Sequence, residues 1–537
     1  MGLNWNAKTG DYVVTTADKK RAEDVGLTLS TKVRGPNGEH VFFTADGYAA
    51  LAFWKEATPA AQARLGTLYK DYAASWRIDS DNHYEVGQPG SVQREKGLRG
   101  FQNAGVDFGL VHPNVLIGDE MGTGKSAQAI AINNATDAGR SLVVCPAAVR
   151  RNWQKEIKKW SNIPNVRTYP IYASRDGVAS WPHYTIISYE LARNVDIHAA
   201  LRARKWDSII IDECHFLKSH NAGRTHALFG GGRKAEIKEP LTDMAKRLIA
   251  LTGTPLPNRP RECFTIARAL CHEAIDWMDY DQFCFRFNPS GFMGHDEMKG
   301  RLPELHARLR CNFMIRRLKK DVIKELPDKQ YEFAYIEPNG AIAEVIRKER
   351  MLDFDPIRDL KNPGAPIWGM ISTIRREMGE AKMPRAIEHL KYLLDIEEVD
   401  KVVVFSHHRS VMDGIKRALE DYGIVEWRGG MSDGAKEHSK EQFQTNPNVR
   451  VFSGQLEAAG FGLDGLQNVA SRVVFVEPAW VPGTNDQAVD RLHRIGQQFP
   501  VIAQFLVVEG SLDERVLGTV LDKAFTINEV LDQRRAA

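Results

Sequence analysis

Short runs of aliphatic and β-branched residues recur along the chain in two series. The first comprises Val115–Ile117, Leu142–Val144, Thr185–Ile187, Ser208–Ile211 and Leu248–Leu251. The second comprises Val402–Phe405, Val449–Phe452, Val473–Val476 and Phe505–Val508. Longer segments with helical character separate the members of each series. Continuous apolar runs, as opposed to alternating ones, predict strands buried on both faces, and helical connections between them predict parallel sheets. Upstream the pattern is mixed. Turn signals stand at Thr9-Gly10 and at Pro36-Asn37-Gly38, and the second lies between Leu29–Val33 and His40–Phe43, which predicts a small hairpin. Residues 356–367 are rich in Pro and Gly and read as a connector. The expected organisation is a small α+β module over 1–90, an α/β lobe over 91–355, a connector over 356–384 and a second α/β lobe over 385–537. Two similar lobes in one chain predict a cleft between them.

Composition narrows the class. The 537 residues are 43% hydrophobic and 26% charged, which excludes a disordered tail, a collagen or a coiled-coil rod. Mean hydropathy is -0.37, and no apolar run approaches the ~18 residues that a spanning helix needs. The first residues lack the basic and apolar regions of a signal peptide, and Asn6 occupies the place where a myristoylation signal has Ser or Thr. A soluble intracellular protein is expected, in the cytoplasm or nucleoid of a microbe or the nucleus of a eukaryote. Lys plus Arg total 72 against 69 for Asp plus Glu, a net charge of +3. That balance does not announce a nucleic-acid binder, yet a basic groove can sit on a neutral protein. The six cysteines form no C-x-x-C pair, which argues against zinc, and they are too few for a disulfide framework in so long a chain.

Four motifs carry chemistry. Gly118-Asp119-Glu120-Met121-Gly122-Thr123-Gly124-Lys125-Ser126 follows the strand Val115–Ile117. Glycines let backbone N–H groups turn inward around phosphate oxygens, and the helix starting near Lys125 adds its positive end. Lys125 is expected to reach the β- and γ-phosphates and Ser126 to hold Mg²⁺. Asp119 stands where the generic Walker pattern has its first glycine. Next, Ile209-Ile210-Ile211 runs into Asp212-Glu213-Cys214-His215, placing two carboxylates at a strand exit, where ligands bind in open α/β sheets. Asp212 is the candidate for the Mg²⁺ shell and Glu213 for orienting the attacking water. Third, Thr252 and Thr254 in Leu251–Pro255 offer hydroxyls at another strand end that could couple nucleotide state to the other lobe. Fourth, Thr484 and Gln487 have capping-box spacing, so a helix is predicted to begin there. Gln487, Arg491 and Arg494 would then share one face, with Val489, Leu492 and Ile495 on another. Paired arginines suit phosphate recognition and could act as arginine fingers supplied in cis.

Together these motifs resemble the Swi/Snf-type branch of the superfamily 2 helicase-like ATPases, over residues 91–530. Leu98-Arg99-Gly100-Phe101-Gln102 is similar to the family's glutamine motif, which implies that Gln102 contacts adenine. Asp119–Ser126 resembles motif I in its family form, with Gly122 and Gly124 at the nucleotide; Thr123 departs from the usual Leu, and Ser126 replaces Thr. Val144-Cys145-Pro146 with Trp153, Glu156 and Trp160 resembles motif Ia, and Ile187–Glu190 motif Ib. Asp212–His215 resembles motif II and Thr252–Pro255 motif III. Arg316-Arg317-Leu318-Lys319 with Leu326-Pro327 is similar to a segment that plain helicases lack. Ser406-His407-His408, Ala459–Leu463 and Gln487–Gln497 resemble motifs IV, V and VI, with Trp480-Val481-Pro482 preceding the last. The extra residues of Asn221–Met244 have no assigned role.

The resemblance implies two RecA-like parallel-sheet lobes with helical insertions, ATP and Mg²⁺ as cofactors, and ATP-driven translocation on duplex or forked DNA. Details at Ala458–Gly460, Glu477–Trp480 and Asn258–Pro260 are most similar to the annealing-helicase, fork-remodelling subgroup, whose small N-terminal DNA-binding module Trp5, Thr9-Gly10 and Phe42–Trp54 faintly resemble. An unrelated accessory module fits residues 1–90 as well. The implied catalytic set is Lys125, Asp212, Glu213, Arg491 and Arg494, with Gln102, Gly122, Gly124, Ser126 and Gln487 at the nucleotide. DNA is expected to contact phosphates on two basic clusters, Arg150, Arg151, Lys155, Lys158 and Lys159, and Arg316, Arg317, Lys319 and Lys320. Trp153, Ile157 and Trp160 have core-facing spacing. With few base-edge readers, shape is expected to matter more than sequence. The alternatives are a strand-separating helicase and a motor that displaces proteins from DNA.

Overall fold

The computed structural model describes residues 2–24, 27–231, 237, 239–255, 260–287, 301–351, 367–395, 399–459, 463–479 and 482–515. The chain divides between Val322 and Ile323 into two compact units.

The first unit opens with four antiparallel strands, β1 (Gly2–Asn6), β2 (Asp11–Thr16), β3 (Thr28–Arg34) and β4 (His40–Thr44), in the order β1-β2-β4-β3. Both expected turns are present. Gly10 closes β1–β2 at φ 74°, a left-handed geometry that glycine adopts without strain, and β3 pairs antiparallel with β4 around the second turn. Tyr12, Val14 and Thr16 of β2 alternate inward, which a half-buried strand requires. The inner face does not close on itself. Its core, with Leu3, Val14, Phe42, Phe53 and Leu65, includes Ala307 and Cys311 from the distant helix Leu302–Asn312. Residues 1–90 therefore share a core with the rest of the unit.

The main sheet of this unit contains β5 (Asn114–Ile117), β6 (Ser141–Cys145), β7 (Thr168–Pro170), β8 (Tyr184–Ser188), β9 (Ser208–Asp212), β10 (Leu248–Leu251) and β11 (Met314–Ile315). Their order is β11-β5-β10-β9-β6-β8-β7, and every pairing is parallel. All five strands expected from apolar runs are present. The edge strands β7 and β11 escaped the pattern because one is only half-buried and the other spans two residues. Part of Asn221–Met244 forms the helix Gly223–Phe229, and its Ala227 and Leu228 join Leu241 in the core beneath this sheet.

The second unit is also a parallel sheet, with β12 (Lys329–Ile336), β13 (Val402–Ser406), β14 (Ile424–Trp427), β15 (Val451–Gln455), β16 (Arg472–Phe475) and β17 (Val501–Val508) in the order β12-β17-β16-β13-β15-β14. It is buried on both faces: Val402 and Val404 enter one core, Val403 and Phe405 the other. Two boundaries need correction. Strand β12 lies beyond the division at Val322 and pairs along its length with β17, so the first lobe does not extend to residue 355. Its alternation of polar and aromatic residues, Tyr331, Phe333 and Tyr335 being exposed, marks an edge strand and hides it from a search for apolar runs. The expected connector over 356–384 is helical from residue 367, inside Ile367–Asp395, whose Ile374, Met378, Ala386 and Leu390 join a core of this unit. Most of the Pro- and Gly-rich segment lies outside the described residues.

Candidate active site

Three sequence motifs converge because their strands are neighbours. In the parallel register Ile117 of β5 lies opposite Leu251 of β10, which lies opposite Asp212 of β9. The phosphate loop, Thr252 and the Asp212-Glu213 pair therefore leave the sheet side by side at its carboxyl edge. The loop passes Gly122 at φ 78° and Gly124 at φ 84° before the helix Lys125–Ala135 begins, with Ser126 in its first turn. Lys125 Nζ donates to the carbonyls of Asp119 (2.9 Å) and Glu120 (3.1 Å), so its charge sits inside the loop. Burial draws its pKa below the ordinary lysine value, against the opposing charges of Glu213, Asp119 and Asp212.

Gln102, in the first turn of helix Gly100–Val111, is buried, and its Oε1 accepts the Arg99 backbone N–H at 3.0 Å. A Cβ at Gly124 would lie 2.4 Å from Gln102 Nε2, so this glycine lets the loop approach the amide. The segments that carry Gln102 and Gly124 thus meet.

Asp119 explains the missing Walker glycine. Its carboxylate is wholly buried and forms a two-oxygen pair with Arg317, Oδ1 to Nε at 2.9 Å and Oδ2 to Nη2 at 2.5 Å. Gln128 closes the ring, donating to Asp119 (3.0 Å) and accepting from Arg317 (2.8 Å). Burial alone would raise the Asp119 pKa; the Arg317 guanidinium outweighs it and holds the group below its usual value. Arg316 donates to the carbonyls of Gly118 (2.8 Å) and Gly253 (3.2 Å), joining the first and third motifs. The backbone does the same: Gly118 N–H bonds Ile315 O at 2.8 Å and Glu120 N–H bonds Arg317 O at 3.1 Å. Arg316, Arg317 and Lys319 are buried, so the expectation that they meet DNA is overturned; only Lys320 of that cluster is exposed. A carboxylate after an apolar strand demands a buried cation, which is the signal that could have found them.

Asp212 ends β9. Its Oδ2 accepts the indole N–H of Trp153 at 2.8 Å and its backbone carbonyl accepts the Tyr189 hydroxyl at 2.6 Å. Burial, then the neighbouring Glu213 charge, pushes its pKa upward, while Trp153 and Lys125 act the other way. Glu213 adopts the left-handed region at φ 52°, an uncommon geometry for a non-glycine residue and one found at functional sites. Its Oε2 lies 3.3 Å from Thr252 Oγ1 and 3.2 Å from His215 Nδ1, and His215 Nδ1 lies 3.0 Å from Thr252 Oγ1. The buried Glu213 and half-buried Asp212 carboxylates carry more negative charge than Lys125 offsets, and with the Ser126 hydroxyl they are hard oxygen donors that fit a divalent cation. Among the described residues no group of three or more His, Cys, Asp or Glu could hold a metal. All six cysteines are free thiols.

Helix Arg150–Trp160 has two faces. Trp153 and Ile157 are buried, while Arg151, Lys155, Lys158 and Lys159 are exposed. Trp160, expected in the core, is half-buried and donates to Glu156 at 2.9 Å.

In the second unit, Ser406 ends β13 and His407-His408 follow it. Glu477 accepts the backbone N–H of His407 (3.0 Å) and of His408 (2.9 Å), and its other oxygen lies 2.6 Å from His408 Nδ1. The helix carrying Gln487 spans Pro482–Val489, so it starts before Thr484 and ends before both arginines. Gln487, Arg491 and Arg494 do not share a helical face. Beyond Val489 the helical pattern breaks up: Arg491 N–H bonds three residues back to Ala488 O at 3.2 Å and Arg494 N–H two back to Leu492 O at 3.1 Å, while His493 N–H still reaches four back to Val489 O at 3.1 Å. Long-range bonds favour this irregular coil: Asp490 meets Lys329 at 3.3 Å and His493 Nε2 meets the Pro327 carbonyl at 2.8 Å. Arg491 reaches Leu463 O at 3.3 Å, and Arg494 pairs with Asp464 at 2.9 Å. Gln487 is buried. Gly460, Phe461 and Gly462 of the expected motif V, Trp480-Val481, and Asn258-Arg259 lie outside the described residues.

A parallel α/β unit with a phosphate loop, two carboxylates at a neighbouring strand end and a second parallel α/β unit define a helicase-type nucleotide-binding protein. The chain belongs to the SNF2-related family: the SNF2-related domain matches residues 12–359 and the helicase conserved C-terminal domain matches 385–496. The human DNA annealing helicase and endonuclease ZRANB3 is 31% identical over 81% of this chain and 40% of its own length. A Caenorhabditis elegans homologue of the SWI/SNF-related matrix-associated actin-dependent regulator of chromatin subfamily A-like protein 1 is 31% identical over 90% of this chain and 68% of its own. This chain thus spans well under half of the human relative. A solved Sulfolobus solfataricus SWI2/SNF2 ATPase core in complex with double-stranded DNA aligns over 85% of this chain and 99% of its own, at 23% identity and a TM-score of 0.40, too slight a likeness to carry a structural argument. Among the described residues no helix is long and apolar enough to cross a membrane.

Proposed function

We propose that the protein is a DNA-dependent ATPase that moves on duplex or forked DNA and remodels or reanneals it. The row Ile117–Leu251–Asp212 carries the nucleotide half of this reading, because it aligns the phosphate loop with a carboxylate pair. Gln102 would read adenine, Gly122 and Gly124 would turn backbone N–H groups toward phosphate oxygens, and Lys125 would exchange its loop carbonyls for the β- and γ-phosphates. Ser126 and Asp212 would hold Mg²⁺, which when bound neutralises charge on the phosphates. Glu213 would orient the water that attacks the γ-phosphorus, its carboxylate steadied by Thr252 and His215. Arg491 and Arg494 would supply positive charge to the transferred phosphoryl group, and Gln487 a further contact to the nucleotide. The named activity of the human relative and the exposed basic face of helix Arg150–Trp160 support DNA as the partner.

Steady-state ATP hydrolysis with no nucleic acid, single-stranded DNA, duplex DNA, forked DNA and RNA tests this. Duplex or forked DNA should stimulate turnover strongly. Lys125→Ala should lower the stimulated rate by roughly two to three orders of magnitude, the scale of losing one preorganised electrostatic group. Retention of most of that rate would sink the assignment, and stimulation only by single strands or RNA would favour a strand-separating helicase.

A further inference from the structure

We propose that Trp153 is a positioning residue that ties DNA contact on helix Arg150–Trp160 to the carboxylate of Asp212, a proposal that rests on the DNA-dependent ATPase reading. Trp153 lies in the first turn of this helix and is 2% exposed. A buried indole needs a partner for its N–H. Here the partner is Asp212 Oδ2, at 2.8 Å, and not a carbonyl of the surrounding core. Asp212 is thereby held at two points, its carboxylate by Trp153 and its backbone carbonyl by Tyr189.

The opposite face of the same helix exposes Arg151, Lys155, Lys158 and Lys159. Trp153 lies between Arg151 and Lys155 along the helix, two residues from each. A helical turn moves as a body, because its backbone bonds interlock. A phosphate backbone engaging Arg151 and Lys155 therefore acts on the backbone that carries the indole. A charge-assisted hydrogen bond near 2.8 Å weakens steeply when donor and acceptor separate or misalign. The Asp212 carboxylate thus senses the seating of the basic helix through one N–H. A phenylalanine would keep an aromatic ring in the core, though a smaller one, and offers no N–H to Asp212.

Binding of a fluorescent ATP analogue, followed while Mg²⁺ is titrated with and without duplex DNA, tests the proposal. In the wild-type protein DNA should lower the Mg²⁺ concentration for half-maximal binding. Trp153→Phe should raise that concentration roughly tenfold without DNA, the lower end of what losing a hydrogen bond to a metal-binding carboxylate does to metal affinity. It should also abolish the shift with DNA while leaving DNA affinity unchanged. A Trp153→Phe protein with wild-type Mg²⁺ dependence and a wild-type DNA shift overturns the proposal. Should the variant not fold, the wild-type titration decides: DNA-stimulated hydrolysis with no change in Mg²⁺ requirement overturns it too. Absence of DNA stimulation in the wild type is a different failure, that of the ATPase reading, and the DNA-free titration of the variant then still decides whether Trp153 positions Asp212.

Discussion

Asp119 occupies a position where a phosphate loop ordinarily needs glycine, and Arg317 makes a carboxylate workable there. The pair is buried, with Arg317 1% and Asp119 0% exposed at the side chain. Breaking such a pair from one side leaves an uncompensated charge, whereas removing both charges is far milder. Arg317→Met is expected to cost about 3–5 kcal/mol of stability in denaturant melts, and the double variant with Asp119→Asn to recover most of it. Equal stability of the two variants would refute the pairing as the loop's anchor. The candidate groups Lys125, Ser126, Asp212 and Glu213 were legible in the sequence because chemistry resides in residue type and spacing. Arg316 and Arg317 were misread as a DNA-facing cluster because charge alone does not reveal where a side chain points.

At the scale of elements, helix Leu302–Asn312 joins the N-terminal sheet to the phosphate loop. Its Arg308 pairs with Asp46 at 2.6 Å and with Glu304 at 2.7 Å, Asn312 bonds the Tyr48 hydroxyl at 3.1 Å, and His306 bonds the Tyr72 hydroxyl at 3.2 Å. Arg310 stacks over Trp76 at 3.5 Å and donates to the Arg316 carbonyl at 3.0 Å. Strand β11 then delivers Arg316 and Arg317 to the loop. A chain beginning at residue 91 would expose Ala307 and Cys311 and strand the buried Arg308. Circular dichroism should show its first thermal transition lowered by roughly 10 °C, which corresponds to a loss of several kcal/mol in a unit of this size. An unchanged transition would mean that residues 1–90 are an independent appendage. The hairpin of β3 and β4 was legible from its turn. The shared core was not, because Ala307 and Cys311 lie far along the chain from the strands they cover.

For the whole molecule, the second unit carries a pH dependence of its own. Glu349 is 3% exposed; its Oε2 accepts the Leu512 N–H at 2.7 Å, and its Oε1 has no hydrogen-bond partner among the described residues. Burial raises its pKa to about 7, with Asp513 adding to the rise and the Leu512 N–H, Arg515 and Lys382 opposing it. A carboxyl whose folded pKa exceeds its unfolded value favours folding while protonated. The folded state is therefore penalised as pH climbs from the unfolded value through about 7, by at most about 3 kcal/mol. Glu349→Gln should flatten the loss of stability between pH 5 and 8 seen in denaturant titrations; an unaltered slope would place that dependence elsewhere.

The sequence by itself determined the two parallel sheets, since nine of their strands are local apolar runs that any burial on two faces requires. It also determined the order of the motifs and the chemical groups they bring, from Gln102 to Arg494. Tertiary structure alone decided the partners of those groups. The indole of Trp153 found Asp212, Arg317 found Asp119, and the helix bearing Gln487 stopped at Val489 because Asp490 and His493 are drawn to Lys329 and Pro327. The division follows from range: strand and turn preferences are settled within a few neighbouring residues, whereas a hydrogen bond between side chains scores of residues apart depends on the register of every strand between them.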